Sequence, residues 1–453
     1  MPHATMTSMT TAVAPVRRII ALALPALIVL AAEPLYVLVD TAVVGNLGRV
    51  ELAGLALGGG VLSLVALLGN FLAYGTTGRA SRLYGAGQRS DAVVEGVQAS
   101  WLALVLGLAF IVIIQVTAEP VTSLLAGGDA DAGHEAEKVT ANACLWLRIA
   151  ALGAPGILLT LAGNGWMRGV QDTRRPLRYV LGANLLSALL APVLVYPVGM
   201  GLAGSAVANV IAQWVCAALF LRALVAERVG WRPQPALLLG QLSMGRDLIL
   251  RTLSIHICFL SAAAVAARIS AAALGGHQIV LQLWMFSSLV LDAVAVAAQS
   301  LVGADLGAGR TDIAQLTARR VAITGGVCGA LLAVVVAAGS AVIPELFTSD
   351  PMVVEQAMVA WPWFVGMLPV AGVVFALDGV LIGAGDVRYM RNITLLSTLG
   401  GFLPMVWLAY ALQLGLGGIW GGLALFILIR LGAMLARLVS GQWAVPGATR
   451  SPR

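Results

Sequence analysis

Charge is what this chain has least of. Asp, Glu, Lys and Arg make up 11% of its residues, against about 25% in a soluble domain. A water-facing surface cannot be covered at that level, which excludes a soluble globular protein. Cysteine is nearly as scarce: Cys144, Cys216, Cys258 and Cys328 stand singly in separate apolar runs. Neither a disulfide framework nor thiolate metal ligation follows from such spacing, and the four read as core filler. The glycine turns Gly85-Ala86-Gly87 and Gly307-Ala308-Gly309 lack the lysine and the strand-to-helix setting of a phosphate cradle. His256 and His277 have no acidic residue one helical turn away and no nucleophile motif beside them. Hydrolysis or acyl transfer, which needs such groups to converge, is unsupported. The sequence therefore reads as no enzyme, with no cofactor and no metal site.

Long apolar runs and glycine are what the chain has in quantity. It is 60% hydrophobic and holds 52 glycines, small residues that let transmembrane helices approach closely. A span needs about 20 apolar residues, and about twelve runs meet that length. They lie near 18–44, 52–78, 94–117, 142–167, 177–197 and 201–224, then 246–272, 277–303, 318–343, 357–383, 392–413 and 416–439. The first run follows Arg17-Arg18, but it is too long for a signal-peptide core and shows no cleavage site, so it reads as a retained span.

The formal net charge of +6 is distributed by side of the membrane. Alternate loops collect arginine: Arg17-Arg18, Arg79/Arg82/Arg89, Arg168 to Arg178, Arg222 to Arg246, Arg310/Arg319/Arg320, Arg388/Arg391 and Arg437/Arg450/Arg453. The intervening loops carry Arg49 and Lys138 among Asp129, Asp131, Glu135, Glu137, Glu345, Asp350 and Glu355. Lys and Arg gather on the cytoplasmic side, so both termini are expected in the cytoplasm and the basic balance marks topology, not nucleic-acid binding.

Motifs recur in order. Leu83-Tyr84-Gly85-Ala86-Gly87 returns as Asp305-Leu306-Gly307-Ala308-Gly309, and Glu51-Leu52-Ala53-Gly54 aligns with Ala273-Leu274-Gly275-Gly276. Gly169 to Arg174 returns as Gly383 to Arg388, and Gly201-Leu202-Ala203-Gly204 as Gly415-Leu416-Gly417-Gly418. The expected fold is an all-α polytopic membrane protein of twelve helices in two pseudo-symmetric six-helix bundles, a parallel repeat of the kind transporters use. Its expected divisions are a tail (1–17), a lobe (18–224), a cytoplasmic connector (225–245), a second lobe (246–439) and a tail (440–453).

The first span carries the chemistry. Glu33, Tyr36 and Asp40 fall on one helical stripe, with Pro34 expected to kink the helix among them. An ionisable group at membrane depth is costly and functional by default. The spacing predicts a proton or cation site inside a cavity. Asp40 is the group that changes charge, Tyr36 its hydrogen-bond partner, and Glu33 a relay or the cap of a water pocket.

Val39-Asp40-Thr41-Ala42-Val43-Val44-Gly45-Asn46-Leu47-Gly48, with Glu51-Leu52-Ala53-Gly54 after it, resembles the first-helix signature of the multidrug and toxic compound extrusion (MATE) transporters, DinF-like branch. Arg168-Gly169-Val170-Gln171-Asp172-Thr173-Arg174-Arg175-Pro176 is similar to that branch's loop after helix four, and Gly276-His277-Gln278-Ile279 adds to the likeness. The resemblance spans nearly the whole chain. It implies a cation-coupled antiporter that expels amphipathic, often cationic organic molecules. It also implies that the first-helix aspartate protonates beside a tyrosine, positions matched by Asp40 and Tyr36, with Asn164 as the helix-four amide. One departure bears on the ion: relatives' acidic residue before a helix-five proline is Ala191, before Pro192. The repeat also places Ala262 opposite Asp40. With fewer carboxylates, a proton fits better than sodium.

Asn70, Asn164, Asn184 and Asn209 are the weaker cavity candidates, against the simpler reading of interhelical hydrogen bonding. Asp292, Asp378 and His256 lie in spans of the second half, where Asp378 is the leading candidate for a second cation site. Basic residues are read as almost absent from the spans, with Arg148, Arg268 and Arg430 near their ends. Asp172–Arg174 and Asp386–Arg388 read as loop-ordering ion pairs. The expected partners are small organic molecules, protons (or sodium) and the lipid bilayer, with no nucleic acid, and the chain is expected to be a monomer in the cell membrane. The alternatives are a flippase for a lipid-linked glycan or another lipid-like substrate, and an intramembrane enzyme.

Overall fold

A computed structural model describes residues 13–127 and 134–449. The expectations placed on Asp129, Asp131, Arg450 and Arg453, and on the outer parts of both tails, lie outside the described residues. Among the described residues twelve helices are long and apolar enough to cross a membrane: α1 Val16–Gly45, α2 Arg49–Gly85, α3 Arg89–Leu125, α4 His134–Gly169, α5 Arg174–Val195, α6 Leu202–Ala226, α7 Pro235–Ile269, α8 Ala271–Gly307, α9 Thr311–Ala338, α10 Pro351–Gly383, α11 Val387–Ala411 and α12 Gly415–Ser440. All twelve expected spans sit inside them or overrun them by a few residues. Large side chains such as Leu38, Val116, Leu260 and Val439 stand exposed along the helices, which suits a lipid solvent and would be a liability in water.

Two helices are interrupted. A single 3₁₀ turn, Ala151–Gly153, breaks α4, and a π turn, Thr398–Phe402, breaks α11. Helix α1 runs on through Pro25 and Pro34. The stretch expected as a polar connector is helical from Pro235 onward, because a proline at the first helical position has its φ preset and no donor to lose.

The chain divides into two compact units, each built largely from one half. The first is Pro25–Ala80 with Gln88–Ile249. Within it the connector lies along α3: Gln98 donates to the Arg232 carbonyl at 3.0 Å and Trp101 Nε1 to the Trp231 carbonyl at 2.9 Å. Glu95, buried one turn earlier on α3, accepts from Arg79 at 2.6 Å and from Gln241 at 2.9 Å. The second unit takes the chain up to Leu24, the turn segment Ser81–Gly87, and Leu250–Arg453.

The repeat is visible within each unit as the same backbone geometry. Gly201 and Gly415 open the sixth helix of their halves at φ 56° and 64°. Gly385 takes φ 68°, and its counterpart Gln171 takes φ 63° although it carries a side chain, an uncommon conformation outside glycine. In the first unit a Cβ on Gly54 would lie 2.8 Å from Asn142 Cβ; in the second, one on Gly276 would lie 2.6 Å from the Ala357 nitrogen. Both halves need glycine where the second helix meets the fourth.

The loop ion pairs differ from expectation. Asp172 pairs with Arg175 at 3.1 Å, not Arg174, because its other oxygen accepts the amides of Arg174 and Arg175 at the start of α5. Asp386 pairs with Arg437 of α12 at 2.8 Å, not with Arg388.

Candidate functional site

In the first unit, α1, α2, α4 and α6 enclose a chamber of about 340 Å³. Helix α1 contributes Glu33, Tyr36, Val37 and Asp40, the stripe that a 3.6-residue period sets on one face. Helix α2 supplies small residues, Gly59, Gly60 and Ser63, and α6 supplies Asn209 and Gln213. The remaining walls are mainly aliphatic. Among the described lining residues none is basic.

Asp40 is buried, and one of its carboxylate oxygens, Oδ2, accepts from the Ser205 hydroxyl at 2.8 Å. Its other oxygen, Oδ1, is buried without a partner in the protein. The Ser205 oxygen in turn accepts from Trp146 Nε1 at 3.2 Å. Tyr36 is buried beside it, and its hydroxyl accepts from Asn209 Nδ2 at a long 3.5 Å. Glu33 is exposed and lines the same chamber. A carboxylate with one oxygen held and one unpaired, and no guanidinium or ammonium against it, can take a proton or an organic cation.

Of the expected residues, the structure brings together Glu33, Tyr36, Asp40 and Asn209. The other three amides do not line the chamber. Asn164 is buried in α4 and donates to the Thr160 carbonyl at 3.1 Å; the polar group that α4 turns toward Asp40 is Trp146, beyond the 3₁₀ turn. Asn184 donates to the Val180 carbonyl at 3.0 Å, and Asn70 is half-buried on α2. Sequence reasoning missed Ser205, Gln213 and Trp146. Ser205 and Gln213 flank Asn209 at one-turn spacing, a signal that was present. Trp146 read as one more apolar residue in a span.

The second unit corrects two expectations. Asp378 is not an open carboxylate: Arg430 Nη2 donates to both its oxygens at 2.7 Å, and Arg251 Nη2 to one of them at 2.7 Å. It is a buried ion cluster carrying one more positive than negative group, so it does not offer an empty cation site. Arg251 stands within the length of α7, so basic side chains are less sparse in the spans than expected. His256 is exposed, its Nδ1 3.0 Å from the Thr252 carbonyl one turn back. Asp292 is half-buried on α8. None of the three lines the chamber.

The MatE family profile matches residues 25–193 and 248–407, one block in each half. Protein DETOXIFICATION 44, chloroplastic, of Arabidopsis thaliana is 33% identical over 441 residues, covering 94% of this chain and 81% of that protein. DNA damage-inducible protein F of Escherichia coli (strain K12) is 31% identical over 437 residues, covering 93% and 91%. A solved MATE structure in the bent conformation superimposes with a TM-score of 0.82 at 21% identity, covering 95% of each chain, which carries the fold.

Proposed function

This chain belongs to the MATE family of multidrug and toxin extrusion transporters, and on that premise we propose that it is a proton-coupled antiporter exporting amphipathic, cationic organic molecules. It is a multi-pass membrane transporter and not an enzyme. The observation that carries the proposal is the buried, unpaired oxygen of Asp40, on a residue that lines a chamber whose described lining holds no basic residue.

The mechanism follows from competition for one site. Protonated, Asp40 rests without a net charge among aliphatic walls. Ionised, it offers a counter-charge to an organic cation whose hydrocarbon parts meet Val37, Leu52 and Leu55. Proton and substrate exclude each other there, so each passage of the chamber from one membrane face to the other carries one or the other. Alternating access then makes the exchange obligatory.

A proton suits this chamber better than sodium because its described lining holds two carboxylates, Glu33 and Asp40, and α5, with Ala191 before Pro192, carries no further one, which leaves few oxygens to replace a hydration shell. In this reading both termini face the cytoplasm across the cell membrane, which the arginine-rich loops support, and the transporter works as a monomer.

Proteoliposomes loaded with a pH-sensitive dye test the reading. Adding an amphipathic cation such as tetraphenylphosphonium releases protons, equally with and without sodium, and Asp40→Asn abolishes the release while the protein still inserts. Full export by Asp40→Asn against a proton gradient would sink the assignment.

A further inference from the structure

Three side chains form a directed line into the chamber: Trp146 on α4, Ser205 on α6 and Asp40 on α1. The indole Nε1–H can only donate, and it does so to Ser205 Oγ at 3.2 Å. Ser205 is fully buried, and Asp40 Oδ2 at 2.8 Å is the acceptor its own hydrogen reaches. Turning that hydroxyl round would strand its hydrogen in a buried place, which is costly. The indole therefore sets the direction of the Ser205 bond, and the Ser205 bond leaves Oδ1 as the free oxygen.

The internal repeat supports treating the three as one device. The register that pairs Gly54 with Gly276 pairs Asp40 with Ala262; the register that pairs Gly201 with Gly415 pairs Trp146 with Ala360 and Ser205 with Ile419. All three polar members are replaced by alkyl groups together. The seat of the indole changes with them. In the first unit Gly58 makes room, since a Cβ there would lie 2.9 Å from the Trp146 ring. The second half carries Val280 against Ala360 at these positions. A tryptophan kept merely to fill space would not need to vanish along with a serine and an aspartate.

We propose that Trp146 is a positioning residue of the exchange site, aiming the Ser205 hydroxyl at Asp40 so that the opposite carboxylate oxygen receives proton or cation. The inference rests on the antiport reading above. The other titratable groups lining the chamber are Glu33 and Tyr36 on α1; α2, α4 and α6 present none among the described lining residues. A hydroxyl aimed at the carboxylate favours its ionised form. With the indole N–H gone, Ser205 can turn and accept from the carboxylic acid instead, which favours the protonated form. Binding of a cation then needs a more alkaline solution.

The test is the pH profile of tetraphenylphosphonium binding to the purified full-length transporter in nanodiscs. For Trp146→Phe the midpoint moves upward by about half to one pH unit. Ser205→Ala moves it the same way, and the double variant moves it no further than Ser205→Ala alone, because the indole acts only through the serine. If phenylalanine leaves the seat too loose to fold, benzothienylalanine at 146 keeps the ring shape and removes only the donor. Trp146→Phe superimposing on the parent profile, or shifts that add in the double variant, overturns the proposal while a pH-dependent parent and an inert Asp40→Asn keep the antiport reading. A parent profile flat in pH, with Asp40→Asn unaffected, overturns both.

Discussion

Arg430 grips Asp378 through both carboxylate oxygens at 2.7 Å, from α12 across to α10, inside the second unit. Arg251 of α7 adds a third contact at 2.7 Å. Three helices are thus tied at one carboxylate, and removing it strands two guanidinium groups where Arg430 is sealed from solvent. Breaking a buried pair from one side costs about 3–5 kcal/mol. Asp378→Ala should therefore lower the unfolding temperature sharply, whereas Asp40→Asn, which strands no opposite charge, should leave it nearly unchanged. Thermal unfolding in one detergent compares them, and equal midpoints would show that the cluster is not a structural tie.

A second tie closes the turns of the same unit. Arg82, at the end of α2, donates to the carbonyls of Ala384 at 3.1 Å, Val445 at 2.7 Å and Gly447 at 3.1 Å. Gly441, at φ 66°, turns the chain back after α12, and Trp443 is fully buried. Arg82→Ala should release residues 441–447, seen as faster cleavage by a protease after Trp443. Arg82→Lys should rescue only part of the protection, since a single ammonium cannot span three carbonyls as the planar fork does. Unchanged cleavage in both variants would contradict this.

How much of this was readable beforehand depended on distance along the chain. Twelve spans and the repeat were legible because hydropathy and glycine turns are local signals, written every 20 to 35 residues or so. Asp40 was legible because an acid within an apolar run is anomalous by itself. Asp378 looked equally anomalous, yet its meaning lay in Arg251 and Arg430, on other helices, and no local pattern joins them. Trp146 was illegible for the opposite reason: in a greasy span an indole is unremarkable until a hydroxyl is found at its nitrogen. The resemblance favours Asn164 over Asn209, and only the packing of α4 and α6 shows the first bonded to its own helix and the second at Tyr36.

The Tyr36–Asn209 contact, at 3.5 Å, is long for a hydrogen bond. Removing it should matter little by itself. Tyr36→Phe is expected to weaken tetraphenylphosphonium binding less than about fivefold, in line with a loss under about 1 kcal/mol. Asn209→Leu, which copies Leu423 at the repeat position, puts an apolar group on the chamber wall and should cost more. Equilibrium binding ranks the pair, and a larger loss for Tyr36→Phe would give the phenol a direct role at the cation.

Glu33 is the remaining carboxylate of the stripe, seven residues before Asp40 and open to the same chamber. Two helical turns separate the pair by about 10 Å, too far for direct proton transfer but bridgeable by water within the chamber. As a relay it would set how fast Asp40 exchanges its proton, not whether it holds one. Glu33→Gln should then slow substrate-driven proton release several-fold while leaving the binding affinity and its pH midpoint in place. If Glu33 is instead a second counter-charge for the cation, the affinity falls and the release of protons from bound complexes keeps its rate. Stopped-flow proton release measured beside equilibrium binding separates the two, because a relay changes only the first and a counter-charge only the second.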